Sequence, residues 1–176
     1  LKSTDNGHTW NSIGLVNRTI NCIAVKENRQ YAGENTTDGG LYLTSDNGLT
    51  WVELTNGLTS PGVNSIAISD NFLYIGVTWD GIYRSADNGS SWTKINNGYS
   101  YSFDFKTLAV RVNNVYSGST DGCAVSINIG TSWYCGPRTY DLSIRSIATR
   151  GAKVITATRY MKNTSADKGS RWETIQ

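Results

Sequence analysis

Residues 44–51 read Thr44-Ser45-Asp46-Asn47-Gly48-Leu49-Thr50-Trp51, and the pattern Ser/Thr-x-Asp-x-Gly-x-x-Trp returns along the chain. It stands at Ser3–Trp10, Ser85–Trp92 and Ser165–Trp172, and again at Ser126–Trp133 with Asn128 in the aspartate position. From Trp10 to Trp51, Trp92, Trp133 and Trp172 the steps are 41, 41, 41 and 39 residues. A period of that size, held over five copies, marks a solenoid, a propeller or an array.

The stretches between the boxes repeat as well. Asn21–Val25, Asn64–Ile68, Lys106–Val110 and Arg145–Thr149 alternate small or polar residues with apolar ones. Gln30–Glu34, Leu73–Val77, Val115–Ser119 and Val154–Thr158 follow them, and Gly40–Ser45 or Gly81–Ala86 leads into a box. Each unit therefore predicts four short strands, rich in β-branched and aromatic residues, with Gly, Asn and Asp at the turns. No helical periodicity interrupts them.

Composition narrows the function classes. Among 176 residues the charged fraction is 17% and the net charge +2, too balanced for a groove that tracks phosphates, so no nucleic-acid partner is expected. No apolar run approaches the ~18 residues that span a bilayer, so no membrane insertion is expected. Three cysteines and a single histidine match no metal-ligand spacing, and neither metal nor cofactor is expected. Abundant Asn, Ser, Thr, Gly and Tyr point to an extracellular or cell-envelope protein, with N-glycosylation sequons at Asn17, Asn35, Asn88 and Asn163.

Ser-x-Asp-x-Gly-x-x-Trp is the Asp-box, and over its whole length the chain resembles the Asp-box (BNR) repeat β-propellers. That group includes sialidases, xyloglucan-cleaving glucanases, sortilin-type receptors, a photosystem II assembly factor and many secreted bacterial proteins. The resemblance implies an all-β fold, a β-propeller of four-stranded antiparallel blades of about 41 residues, with the box turn between third and fourth strands. Residues 1–176 then form a single propeller domain or a segment of one. Residues 1–14 supply the third and fourth strands of a partial blade, and 15–55, 56–96, 97–137 and 138–176 are four full blades. The opening hairpin lacks inner strands, which leaves an edge for missing blades or for further copies of the chain.

The box chemistry explains its composition. A carboxylate accepts several N–H bonds inside a tight turn, glycine supplies a left-handed position, and the tryptophan ring lies over the turn and staples it to its blade. Asp5, Asp46, Asp87 and Asp167 are thus read as scaffold. Asn128 accepts without charge, which predicts a less firmly held turn. Cys123 and Cys135 flank that turn symmetrically, as a disulfide that reinforces it or as two unpaired core cysteines, leaving Cys22 a buried free thiol.

Spacing separates two faces. First strand to second (Ile23 to Tyr31, and its equivalents) is always 8 residues, and third to fourth (Gly40 to Trp51) always 11. Second to third runs 9, 7, 6 and 6, and fourth to the next first runs 13, 15, 16 and 14. The variable face is where a repeat protein places binding residues. It holds Trp79, the only tryptophan outside a box, with Asp80, Tyr99, Tyr101, Arg138, Tyr140, Arg159 and Tyr160. Such aromatics beside polar groups suit a sugar or a peptide; alternatively they pack on one another and cap the blades.

No catalytic residue is assigned. A sialidase's Phe/Tyr-Arg-Ile-Pro motif is missing, Glu34 alone among the glutamates lies near the variable face, and Asp38, Asp80 and Asp121 sit in Asp-Gly turns. The reading favoured is a non-enzymatic secreted binding or interaction scaffold that engages a glycan or protein on the variable face. The alternative is a fragment of a sialidase- or xyloglucanase-like glycoside hydrolase whose catalytic residues lie mostly outside this chain.

Overall fold

The computed structural model describes residues 1–36, 38–60, 62–99, 105–135, 143–159 and 161–175, without the side chains of Cys135 and Ile175. It is all-β, four four-stranded antiparallel sheets with strands in sequence order. The first sheet holds β1 (Ile20–Lys26), β2 (Arg29–Glu34), β3 (Leu41–Thr44) and β4 (Val52–Glu53). The second holds β5 (Val63–Ile68), β6 (Leu73–Val77), β7 (Gly81–Ser85) and β8 (Thr93–Lys94). The third holds β9 (Phe105–Arg111), β10 (Asn114–Ser119), β11 (Gly122–Ser126) and β12 (Tyr134–Cys135). The fourth holds β13 (Ser146–Arg150), β14 (Lys153–Ala157), β15 (Lys162–Ser165) and β16 (Glu173–Ile175). Ahead of them, Lys2 and Asn11 bridge a short antiparallel hairpin.

Registers repeat from sheet to sheet: Tyr31 faces Leu43, Tyr74 faces Arg84, and Tyr116 faces Val125. The second strand of a blade is covered on both faces, which is why β6 reads as the unbroken apolar run Leu73–Val77, every residue buried. The core is divided among the contacts between successive sheets. Tyr31 packs with Val63, Ile66 and Ile68; Tyr74 with Phe105, Leu108 and Val110; Tyr116 with Ile144 and Ile147. Two residues past each tyrosine stands a glycine, where a Cβ would lie 2.8 Å from Val63, 3.0 Å from Phe105 and 2.4 Å from Ile144. Gly33, Gly76 and Gly118 are there because the next sheet, together with Cys22, Ser65 and Thr107 of their own sheets, leaves no room for a methyl group.

Every box folds the same way. In the second copy Thr44 Oγ1 donates to Asp46 Oδ1 (2.7 Å), and the Gly48 amide donates to Thr44 Oγ1 (2.8 Å). The Thr50 amide and hydroxyl then donate to the two Asp46 oxygens (2.9 and 2.6 Å). These bonds hold Asp5, Asp46 and Asp87 down at about 2; for Asp5 and Asp46 the hydroxyl of Thr9 or Thr50 contributes most, for Asp87 that of Ser91. Asp167 is lowered as well, chiefly by the Arg171 amide.

The tryptophan departs from expectation: its partner is the preceding sheet. Trp51 Nε1 donates to the Ile13 carbonyl (2.7 Å), Trp92 to Leu54 (3.0 Å) and Trp133 to Ile95 (2.5 Å), each bond spanning 38 residues. The box glycine seats the same neighbour, a Cβ on Gly48, Gly89 or Gly130 lying 2.7, 2.7 or 2.3 Å from Ile13, Leu54 or Ile95. Trp10 instead donates to its own Gly7 carbonyl (3.0 Å) and is 59% exposed.

In the fourth box Asn128 Oδ1 still accepts the Ser132 amide (3.0 Å), while its amide group donates to Ser132 Oγ (2.9 Å). A second local weakness adjoins it: Ile129 occupies φ 57°, a left-handed position held elsewhere by Asn6, Asn47, Asn88 and Lys168. The backbone register sets Ala124, rather than Cys123, opposite Cys135, and the proposed bridge turns on a side chain outside the described residues. Burial pushes the Cys22 thiol up to about 12.

Two outcomes follow from the box. Relieving the β-branched residue with Ile129→Asn is expected to stabilise by ~1 kcal/mol and raise the melting temperature by about 2–4 °C in differential scanning calorimetry. Carboxyls held at about 2 contribute stability in full above their ordinary value of 3.8, and that stability is lost as pH falls toward 2. The melting temperature is therefore expected to drop between pH 4 and pH 2, and an Asp46→Asn/Asp87→Asn variant to start lower at pH 7 and fall less over that interval.

Candidate functional site

Among the described residues, the connections that follow β2, β4 and β6 meet on one face, where Thr78 joins Asn35 and Thr59 joins Asp80. Between β6 and β7 the chain turns through Thr78–Asp80, with the Asp80 amide donating to the Val77 carbonyl (3.3 Å). Trp79 stands in this turn at φ 59°, with its side chain 74% exposed. A bulky aromatic in a left-handed position is disfavoured, so its surroundings have to hold it there.

Asp80 provides the hold. Its carboxylate accepts from the Tyr83 hydroxyl (2.6 Å), from Thr59 Oγ1 and from Lys94 Nζ, while its carbonyl accepts from Asn96 Nδ2 (3.1 Å). Asn96 Oδ1 in turn accepts the Ile82 amide (2.8 Å). Burial alone would raise the Asp80 carboxyl, but the bonds from Lys94, Thr59 and Tyr83 outweigh it and hold the group below its ordinary value. Asp80 thus stays ionised and is engaged internally, which suits a positioning role and not that of a proton donor.

One connection back, Asn35 Oδ1 accepts from Thr78 Oγ1 (2.5 Å), which ties the first sheet's loop to the Trp79 turn. Beside it lies an ion pair that the sequence reading did not single out. Buried Glu34 accepts from Arg18 Nη1 (3.1 Å) and from the Thr19 amide (3.1 Å), and the Arg18 guanidinium lies 5.2 Å from the Tyr42 ring centre. The available signal was Glu34 itself, a glutamate at the strand end where the other units carry Val77, Ser119 and Thr158.

The remaining candidates divide. Tyr99 is a correction to the expectation of an exposed aromatic. It is 8% exposed, packs edge-on against Phe105 (5.0 Å) and Trp133 (5.6 Å), and shares a hydrogen bond with Ser117 Oγ (3.0 Å). It plugs the second and third sheets together, as the capping alternative anticipated. Arg159 is exposed at the end of the connection after β14. Tyr101, Arg138, Tyr140 and Tyr160 lie outside the described residues. Of the sequon asparagines, Asn17 and Asn88 are exposed and Asn35 is half-buried, whereas Asn163 is buried with its Oδ1 accepting from Thr174 (2.9 Å). Among the described residues no group of three or more His, Cys, Asp or Glu side chains converges as for a metal ion.

No family model matches the sequence, and no curated protein matches it. Solved structures do match the fold. A GH74 xyloglucanase from Xanthomonas campestris superposes with a TM-score of 0.71 at 14% identity, over 89% of this chain and 30% of that one. A structure of YCF48 bound to D1 peptide superposes with a TM-score of 0.68 at 16% identity, over 89% of this chain and 55% of the other. A computationally designed protein, Ika4, gives 0.64 at 13% identity, over 90% and 91% of the two chains. At such identities the similarity is one of fold, and that fold is the β-propeller. This chain spans about a third of the xyloglucanase and a little over half of YCF48.

The two aromatics of the variable face are expected to behave oppositely in urea unfolding. Tyr99→Ala opens a cavity in a closed core and is expected to destabilise by about 3–5 kcal/mol. Trp79→Gly removes an exposed ring and its left-handed strain, and is expected to leave stability unchanged or raise it by up to ~1 kcal/mol.

Proposed function

We propose that this chain belongs to the Asp-box propellers and works as a secreted or cell-envelope binding scaffold, engaging a glycan or protein ligand at the loop face around Trp79. One observation carries the reading. The face presents a large, exposed aromatic in a disfavoured backbone conformation, and a network of Asp80, Thr59, Tyr83, Lys94 and Asn96 is committed to holding it there. Strain kept at an exposed position is characteristic of a recognition site, and a flat ring beside hydroxyl, amide and charged groups matches a sugar's apolar face or a peptide's side chain.

The second reading, part of a glycoside hydrolase, draws support from the fold similarity to a xyloglucanase of which this chain spans 30%. Glu34 and Asp80 speak against catalysis within this segment, since both carboxylates are tied to a cation.

Glycan-array and peptide-array screening of the chain and of Trp79→Ala tests the proposal. Binding that falls at least about tenfold in Trp79→Ala, with an unchanged melting curve, is the expected result. Equal binding by the variant would sink the assignment of the face, and release of reducing sugar would move the chain to the hydrolase reading.

A further inference from the structure

The box face repeats its turns but not its chemistry, and the third unit departs from the others at one corner. Counted from Ile23, Ile66, Leu108 and Ile147, the residue four positions on falls in the turn after the first strand and reads Glu27, Asp70, Val112 and Gly151. In the first unit Glu27 pairs with Arg29 (3.7 Å), so the turn balances its own charge. Val112 carries no charge, is 75% exposed, and holds φ 54°, a left-handed conformation that a β-branched residue resists. The second residue of each box reads Thr4, Ser45, Ala86, Ile127 and Ala166, and Ile127 is 55% exposed. Asn128 then replaces the carboxylate that every other box carries. The same turns close in the other units with small or polar residues at these places, so closing them does not call for Val112 or Ile127.

Both apolar residues line a groove of about 560 Å³ between the third and fourth sheets. The third sheet adds Arg111 to it, the fourth adds Gly151, Ala152 and Lys168, and no carboxylate lines it. Two bonds fix its walls. Arg111 Nε donates to the Gly151 carbonyl (2.8 Å), and the Lys168 amide to the Ala152 carbonyl (3.0 Å). A carbonyl is a neutral acceptor, so the Arg111 guanidinium keeps its charge for a ligand. Arg150 and Lys153 stand exposed on either side of Gly151 and Ala152. Among the described residues none of these four cations is in an ion pair. Asp167, next to Lys168, is engaged within its own box by the Ser165 hydroxyl and the Arg171 amide (2.8 Å each). A chain of net charge +2 thus gathers four unpaired cations around one apolar floor.

We infer that this groove is a recognition site separate from the loop face around Trp79, and that it takes a peptide segment of a partner protein in which apolar side chains alternate with Asp or Glu. The apolar side chains cover Val112 and Ile127, and the carboxylates meet Arg111 and Lys168. A concave site with an aliphatic floor and a cationic rim fits an extended chain better than a flat lipid surface.

The repeat itself supplies the variants for the test. Val112→Asp, Ile127→Ser and Lys168→Asn each install the residue that another unit carries at the same place, Asp70, Ser45 and Asn47. Each is therefore expected to melt no more than about 1 °C below the original chain. The chain is screened by fluorescence anisotropy against capped pentapeptides in which Glu alternates with Leu, Ile, Val or Phe. The expected result is a bound peptide whose affinity falls at least about tenfold in Val112→Asp, and at least about threefold in Lys168→Asn or when its Glu residues become Gln. Trp79→Ala is expected to bind that peptide unchanged; lost binding there places it on the loop face and overturns the inference. Absence of any bound peptide, or equal binding by Val112→Asp, overturns it too. A dimer in light scattering that Val112→Asp makes monomeric overturns it in favour of a second copy. Sedimentation with phosphatidylserine vesicles that Val112→Asp abolishes, with no peptide bound, overturns it in favour of a membrane surface. Should Val112→Asp not fold, Ile127→Ser decides: an affinity at least about threefold weaker supports the inference, and equal affinity overturns it.

Discussion

The structure hangs on one repeated contact, the indole N–H of a box tryptophan donating to a backbone carbonyl 38 residues earlier. A carbonyl at the outer end of a fourth strand has no neighbouring strand to accept from, and its residue's side chain needs a surface to lie on. The box answers both needs at once. Its tryptophan reaches the carbonyl, and its glycine opens a notch for Ile13, Leu54 or Ile95. A hairpin turn that could have been a purely local device becomes the clip between one sheet and the next. The same clip explains why Ile13, Leu54 and Ile95 each stand three residues after a box tryptophan: a residue inserted there would move the carbonyl out of the next tryptophan's reach.

Regularity on one face releases the other. The Asp46 oxygens, the Thr44 hydroxyl and the Gly48 amide are committed to each other, so the box tolerates only residues that keep those bonds, as Asn128 does in the fourth copy. Among the described residues the opposite connections carry no such repeated network, and three of them differ in what they use. One uses Glu34 and Arg18, another Asp80 with Lys94, and a third buries Tyr99. Diversity there is permitted because the blades are already joined elsewhere.

That division governs what the sequence could show. The strands, their order and the place of each box were legible because an identical hydrogen-bond pattern selects identical residues at each repeat. The partner of each tryptophan was not legible, since a ring that packs on its own turn and one that reaches the preceding sheet have the same spelling. Trp79 and Tyr99 show the limit on the variable face. Both are large aromatics in irregular loops, yet one projects into solvent and the other closes a core with Phe105 and Trp133. Spacing carries no information on that choice, because it depends on loop paths that do not repeat. Glu34 was visible as an anomaly, but its meaning depended on Arg18, sixteen residues away across a turn.

The opening hairpin turns the same logic around. Gly7 has the left-handed backbone of the other box glycines, but nothing except its own Trp10 lies within 4 Å of the position a Cβ would take. Trp10 accordingly turns back on the Gly7 carbonyl and stays exposed, while Trp133, with Ile95 to meet, is almost wholly buried. Notch and ring thus work as a pair: the indole leaves its own turn only where a neighbouring apolar side chain fills the space beside the glycine.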